Sequence, residues 1–207
     1  MKVLLMNGSP RAKGCTYTAL TEIAQELEKE NIETEIFQIG NKPISGCIAC
    51  SGCMETDEEC VLKGDRVNEA LKKAKEVDGF IFGSPVHYAG ASGAITSFLD
   101  RFFYAGKSFQ YKPGAAIISC RRGGSTAAFD QLNKYFTISN MPIVSSQYWN
   151  MVHGNTPEEV RQDLEGMQTM RTLGKNMAWL LKSIQAGKEA EIQLPKQEPR
   201  EFTNFIR

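Results

Sequence analysis

Short apolar runs alternate along this chain with segments whose apolar residues recur every three or four positions, the pattern of a parallel sheet covered by helices. The run "KVLLM" at 2–6 has the length and apolarity of a central strand buried on both faces. Over 16–30, Leu20, Ile23, Ala24 and Leu27 recur at helical spacing while Glu26, Glu28, Lys29 and Glu30 lie elsewhere, which predicts an amphipathic helix. Further strands are predicted at 33–39, 79–86, 114–120 and 141–149, and further helices at 65–78, 93–106, 125–140 and 156–184. Asp65 and Ser125 are N-cap candidates, and Thr156 followed by Pro157 and two acids opens the last helix. Gly166 and Gly174 predict that this helix bends or divides.

Five strands with alternating helices predict one open, doubly wound α/β domain over 1–186. The polar stretch 187–207, with two prolines, is then an extended arm or a disordered tail. A chain of 207 residues is long enough for one well-filled core. Its 24 basic and 24 acidic residues cancel, so no field of one sign recruits nucleic acid or an anionic membrane. No apolar run has the length of a bilayer span or a signal-peptide core, which predicts a cytoplasmic protein. In that reducing setting clustered cysteines read as ligands or free thiols rather than disulfides.

In a doubly wound sheet ligands bind beyond the carboxyl ends of the strands, where strand order reverses. The loops after strands one, three and four are therefore the candidates. "NGSPRAKGCT" (7–16) offers the hydroxyls of Ser9 and Thr16, the cations Arg11 and Lys13, and the amides of a helix start, all suited to an anion. It lacks the Gly-Lys-Ser/Thr of a triphosphate loop, so a single phosphate fits better; an ordinary strand–helix turn is the competing reading. "GSPVHYAGASGA" (83–94) puts His87 and Tyr88 just past a strand end, as a wall for a flat aromatic ligand or as packed loop residues. "SCRRGGS" (119–125) joins the charges of Arg121 and Arg122 to Gly123 and Gly124, which permit close backbone approach.

Together "GSPRAKGCT", "GSPVHYAGASGAITSFLDRF" and the strand–"RRGGS" segment resemble the NADPH-dependent FMN reductase family over roughly residues 1–185. The resemblance implies a flavodoxin-like three-layer sandwich with a five-stranded parallel sheet in order 2-1-3-4-5. It also implies FMN as cofactor and NAD(P)H as co-substrate, with a quinone, flavin, nitro or azo compound as the small-molecule acceptor. It assigns the phosphate loop to Ser9, Arg11, Lys13, Cys15 and Thr16. Pro85, Val86, His87 and Tyr88 would lie against the flavin ring, and Cys120, Arg121, Arg122, Gly123 and Gly124 would close on it from the other side. No protein nucleophile or acid–base pair is then required, because the flavin supplies the reactivity. One departure is Cys15, where many relatives carry Asn. The resemblance implies a homodimer or homotetramer as well, and the aromatic segment 101–111 is a candidate for its interface.

The segment "GCIACSGCMETDEEC" (46–60) spaces Cys47, Cys50, Cys53 and Cys60 as Cys-x2-Cys-x2-Cys-x6-Cys. Zinc sites use two separated Cys-x2-Cys knuckles, so zinc fits these crowded thiols less well. The segment most resembles the iron–sulfur flavoprotein branch of the family, in which a [4Fe-4S] cluster would sit on the four cysteines. Similar stretches also occur in relatives that carry FMN alone, and the four neighbouring acids oppose further negative charge. The expectation is accordingly an FMN protein with no metal. An electron-transferring iron–sulfur flavoprotein is the alternative, and a non-catalytic cysteine redox sensor is a second.

Overall fold

A computed structural model describes residues 1–203. The chain opens with β1 (Lys2–Asn7), α1 (Cys15–Lys29) and β2 (Glu33–Gln38). The cysteine segment follows, with one short 3-10 turn at Gly52–Glu55. Next come α2 (Val67–Lys75), β3 (Gly79–His87), the two-residue β4 (Gly90–Ala91), α3 (Gly93–Ala105) and β5 (Gly114–Cys120). The remainder is α4 (Ser125–Ile138), β6 (Met151–His153), α5 (Pro157–Gln162) and α6 (Leu164–Glu189).

The parallel strands lie in the order β2-β1-β3-β5-β6, which is the expected 2-1-3-4-5, with β4 turned back antiparallel on the end of β3. Alternation along the buried strands explains their continuous apolarity. Leu4, Met6, Phe80, Phe82, Ala116 and Ile118 face α2, α3 and α4, whereas Val3, Leu5, Ile81, Ala115 and Ile117 face α1 and α6. Both layers are therefore cored from the same three strands.

The last strand is not where the sequence pattern put it. Pairing with β5 begins at Ile143 opposite Gly114 and resumes at Met151 opposite Ile118, so four extra residues loop out between. Asn150 covers the gap: its buried Nδ2 donates to the Ala116 carbonyl at 3.1 Å, in place of a backbone partner. The expected strand at 141–149 is thus one bridge and a bulge, with Tyr148 and Trp149 exposed.

The long final helix divides, as Gly166 and Gly174 suggested, but at Asp163, whose Oδ1 accepts from Gly166 N–H at 2.9 Å. Thr156 caps α5 as expected. Asp65 does not cap α2 in the usual sense, although its Oδ1 accepts from Val67 N–H at 3.1 Å. The final helix runs to Glu189, so the tail begins at 190; of the 187–207 segment, residues 204–207 lie outside the described residues. Among the described residues no helix is long and apolar enough to cross a membrane.

The aromatic segment 101–111 is mainly core. Phe102 and Phe109 are buried and stacked at 4.7 Å, and Tyr104 is its one exposed aromatic.

Candidate functional site

Beyond the carboxyl ends of β1, β3, β5 and β6 lies a cleft of about 290 Å³. It is lined by Ser9, Arg11, Cys15 and Thr16 from the first loop, Pro85, Val86 and His87 from the end of β3, and Ser119 and Arg121 around the end of β5. This is the switch point of the sheet, because β2 and β3 flank β1 on opposite sides.

The first loop is held open from below. Buried Asn7 accepts from Ser9 N–H at 3.1 Å and donates to Gln38 Oε1 at 2.6 Å. Gln38 in turn donates to the Ser9 carbonyl at 2.6 Å, and Ser9 Oγ accepts from Arg11 N–H at 3.2 Å. Gly8 presses onto β3, its N–H donating to the Gly83 carbonyl at 2.8 Å. A Cβ there would stand 2.7 Å from that oxygen and 2.8 Å from Ile95 Cβ.

The α1 N-terminus carries no side-chain cap and no acid in its first turn, so its leading amides face the cleft without a built-in acceptor. Thr16 and Ser119 share one hydroxyl hydrogen bond of 2.7 Å, leaving the other hydroxyl hydrogen free to donate. Among the described residues no acidic side chain lines the cleft, while Arg11 and Arg121 do. Burial pushes the Cys15 thiol above its ordinary range, and its Sγ lies 3.7 Å from the Gly154 carbonyl. Cys15 thus stays neutral and adds no negative charge.

A second cavity, of about 210 Å³, is lined by all four clustered cysteines, with Arg101 and Tyr104 of α3 in its wall. Cys47 and Cys50 are exposed, Cys53 half-buried and Cys60 buried. The chain enters the left-handed region at both Ala49 (φ 52°) and Ser51 (φ 57°), on either side of Cys50. Such reversals make the amide-lined concavities that receive anions, iron–sulfur groups among them.

Two of the four acids beside these cysteines are matched by cations. Asp57 pairs with Lys75 at 2.8 Å and Glu59 with Lys63 at 2.9 Å, and both carboxyls are held below their usual range by those partners. Glu58 accepts from Ser108 Oγ at 3.0 Å. The negative charge beside the four thiols is thus about half offset by Lys63, Lys72 and Lys75.

A family model described as NADPH-dependent FMN reductase matches residues 1–156. The chain belongs to that family. An iron-sulfur flavoprotein of Methanocaldococcus jannaschii is 34% identical over 193 residues, covering 89% of this chain and 99% of the relative. An iron-sulfur flavoprotein of Archaeoglobus fulgidus is 28% identical over 195 residues, covering 87% and 97%. A solved archaeal flavodoxin superposes with a TM-score of 0.57 at 15% identity, over 88% of this chain and 99% of the other. The chain is therefore an FMN-dependent flavoprotein oxidoreductase with a flavodoxin-like fold.

The residues that the family resemblance assigned to FMN are mostly brought together. Ser9, Arg11, Cys15, Thr16, Pro85, Val86, His87 and Arg121 line one cleft. Lys13 faces a separate groove beside Tyr17 and Arg161. Tyr88 stands fully exposed in a left-handed turn (φ 56°) at the tip of the β3–β4 hairpin. Cys120 is buried, its Sγ donating to the Gly123 carbonyl at 3.0 Å, and Arg122 is exposed outside the cleft. Gly123 is exposed too, while Gly124 (φ 91°) seats the start of α4 against the hairpin, where a Cβ would meet Ala89 Cα at 2.9 Å.

Pro10, Ser119, Gly154 and Asn155 line the cleft without having been singled out. The signal for the last two is "HGNT" ahead of Pro157, in which they lie just beyond the end of the short β6.

The phosphate end of FMN fits the uncapped helix start, the free hydroxyl and Arg11. Arg11→Ala is therefore expected to weaken FMN binding roughly tenfold and riboflavin binding much less, measured by quenching of flavin fluorescence. Equal losses for both ligands would remove Arg11 from the phosphate site.

Proposed function

We propose that this chain is an iron–sulfur flavoprotein, with FMN in the cleft of Ser9, Arg11, Thr16, Pro85, Val86 and His87 and a [4Fe-4S] cluster on Cys47, Cys50, Cys53 and Cys60. The observation that carries the cluster is that four thiols border one cavity. Among the described residues no group of three or more His, Cys, Asp or Glu side chains is placed to hold a metal ion, so the support from the structure is the shared cavity alone. Thiols spread around a cavity suit a polynuclear group better than a tetrahedral point ion. The names of the relatives from Methanocaldococcus jannaschii and Archaeoglobus fulgidus support the same reading.

When bound, FMN supplies both paired and single electron transfer, and the cluster supplies single electron transfer. The chain's own part is placement. The α1 amides and Arg11 fix the phosphate, which anchors the rest of the cofactor against Pro85 and Val86 at the end of β3. Gly8, Asn7 and Gln38 hold that loop rigid, and the buried ends of β1 and β3 keep water from its underside. The acceptor would be a small molecule or a redox partner, and the assembly a homodimer or homotetramer.

After anaerobic reconstitution, about four irons, about four sulfides and about one FMN per chain are expected, with a broad cluster shoulder beside the flavin bands. Flavin bands without iron would return the protein to an FMN-only reductase, and a colourless protein that refuses FMN would leave only a thiol sensor.

A second reading concerns the reductant. Arg121 is exposed where it lines the cleft, and it would meet the anionic phosphates of NAD(P)H. Bleaching of the flavin on mixing with NADPH or NADH, faster than one-electron donors achieve, would support direct use of a nicotinamide nucleotide.

A further inference from the structure

We infer that Arg101 is the positioning residue of the cysteine site: it fastens both ends of the segment carrying the four thiols and, through its contact with Cys60, raises the reduction potential of the cluster held there. This rests on the cluster reading above and deepens it.

Arg101 lies on α3 among Phe98, Leu99 and Phe102, and it is 1% exposed. A guanidinium buried that far costs several kcal/mol of lost hydration unless its donors are used. They are used on Cys60, on the two flanks of the cysteine segment and on Asp65. Nε donates to Cys60 Sγ at 3.2 Å, and Nη2 donates to the Leu62 carbonyl at 2.9 Å. Nη1 donates to the Ser45 carbonyl at 3.2 Å and pairs closely with Asp65.

Ser45 precedes Cys47 by two positions, and Leu62 follows Cys60 by two. One planar group therefore closes the segment like a clasp, with its three nitrogens aimed at fixed directions. A lysine ammonium, a single point with a flexible stem, could not reach all of these acceptors.

The contact with sulfur separates this role from ordinary scaffolding. Asp65 alone would neutralise the buried charge, yet Nε is spent on Cys60. Cluster potentials respond to net charge and to hydrogen bonds on the ligand sulfurs. A donor and a positive charge at Cys60 both stabilise the form that carries the added electron. Asp65 opposes this from the far side of the guanidinium.

The two partners therefore make opposite predictions. Arg101→Met removes donor and charge and is expected to lower the cluster's midpoint potential. Asp65→Asn leaves Arg101 in place without its counter-charge, keeps an oxygen for Val67 N–H, and is expected to raise it. Each shift should reach about 59 mV, a tenfold change in the equilibrium constant of a one-electron couple. Arg101→Lys restores charge but not the clasp. Its potential should fall between wild type and Arg101→Met, and its iron-free form should be cut faster by protease within residues 46–62.

Spectroelectrochemistry of the reconstituted proteins reads the potentials, and iron and sulfide assays read the loading. If Arg101→Met does not fold or load, Asp65→Asn and Arg101→Lys still decide the matter. Potentials that all stay at the wild-type value, or all move one way, would overturn the inference while leaving the cluster in place. A wild-type protein that takes up no iron would instead overturn the cluster reading itself.

Discussion

Cys50→Ala is expected to strip the iron and leave the flavin. Cys50 is exposed and belongs to neither apolar core, so its loss should change the stability of the iron-free chain by no more than about 0.5 kcal/mol. Its effect on the cluster should be large, because one of four thiolates closing the group is gone. Iron per chain should fall roughly tenfold or more, since metal binding at such sites depends on every deprotonated ligand. FMN content should stay at wild-type level, because the flavin cleft draws on none of residues 46–60. Iron assay and flavin fluorescence on the same sample check both halves. Joint loss of flavin and iron would mean that the two sites are not independent, and retention of iron would remove Cys50 from the ligand set.

Gly8→Ala should do the reverse. The added methyl would sit 2.7 Å from the Gly83 carbonyl oxygen and 2.9 Å from Ile95 Cδ1, and the oxygen belongs to a central strand that cannot retreat. Overpacking of this kind costs about 1–3 kcal/mol. The first loop would also lift away from β3, since the Gly8 N–H bond to Gly83 and the Ser92 Oγ bond to the Gly8 carbonyl both span the contact. FMN affinity is expected to fall about tenfold, equivalent to ~1.4 kcal/mol. A denaturant melt and an FMN titration measure the two effects. Cluster loading in the surviving folded fraction should be unchanged.

The strands were legible in the sequence wherever burial was two-sided. The run at 2–6 and the one at 114–120 could hardly be anything but central strands, and the loops that follow them supply much of the lining of the cleft. The edge was harder. "MPIVSSQYW" carries an apolar start that does pair at Ile143, but the ladder then passes to a three-residue strand, too short to leave a pattern. Asn150, a polar residue filling a strand position, is the kind of substitution that periodicity does not register. A strand placed at 141–149 does not end near Gly154 and Asn155, which line the cleft.

The cysteine spacing was plain in the sequence, but its surroundings were not. Lys72 and Lys75 lie on α2, away from the cysteine segment in sequence, and only the fold brings them to Glu59 and Asp57. Arg101 stands 41 positions from Cys60 in an aromatic run, so nothing local suggested that it touches sulfur.

Cys47 and Cys50 hang outside the two apolar layers, and the sheet closes without them. The order of assembly follows from this. On the cluster reading, the chain would finish folding and take up its flavin without needing iron first, since the turns at Ala49 and Ser51 are formed by the chain itself. If the cysteines hold the proposed cluster, a cell short of iron, or one growing in air, would accumulate a yellow, properly folded protein with one centre instead of two. Its metal content would record the supply of iron at the time of synthesis.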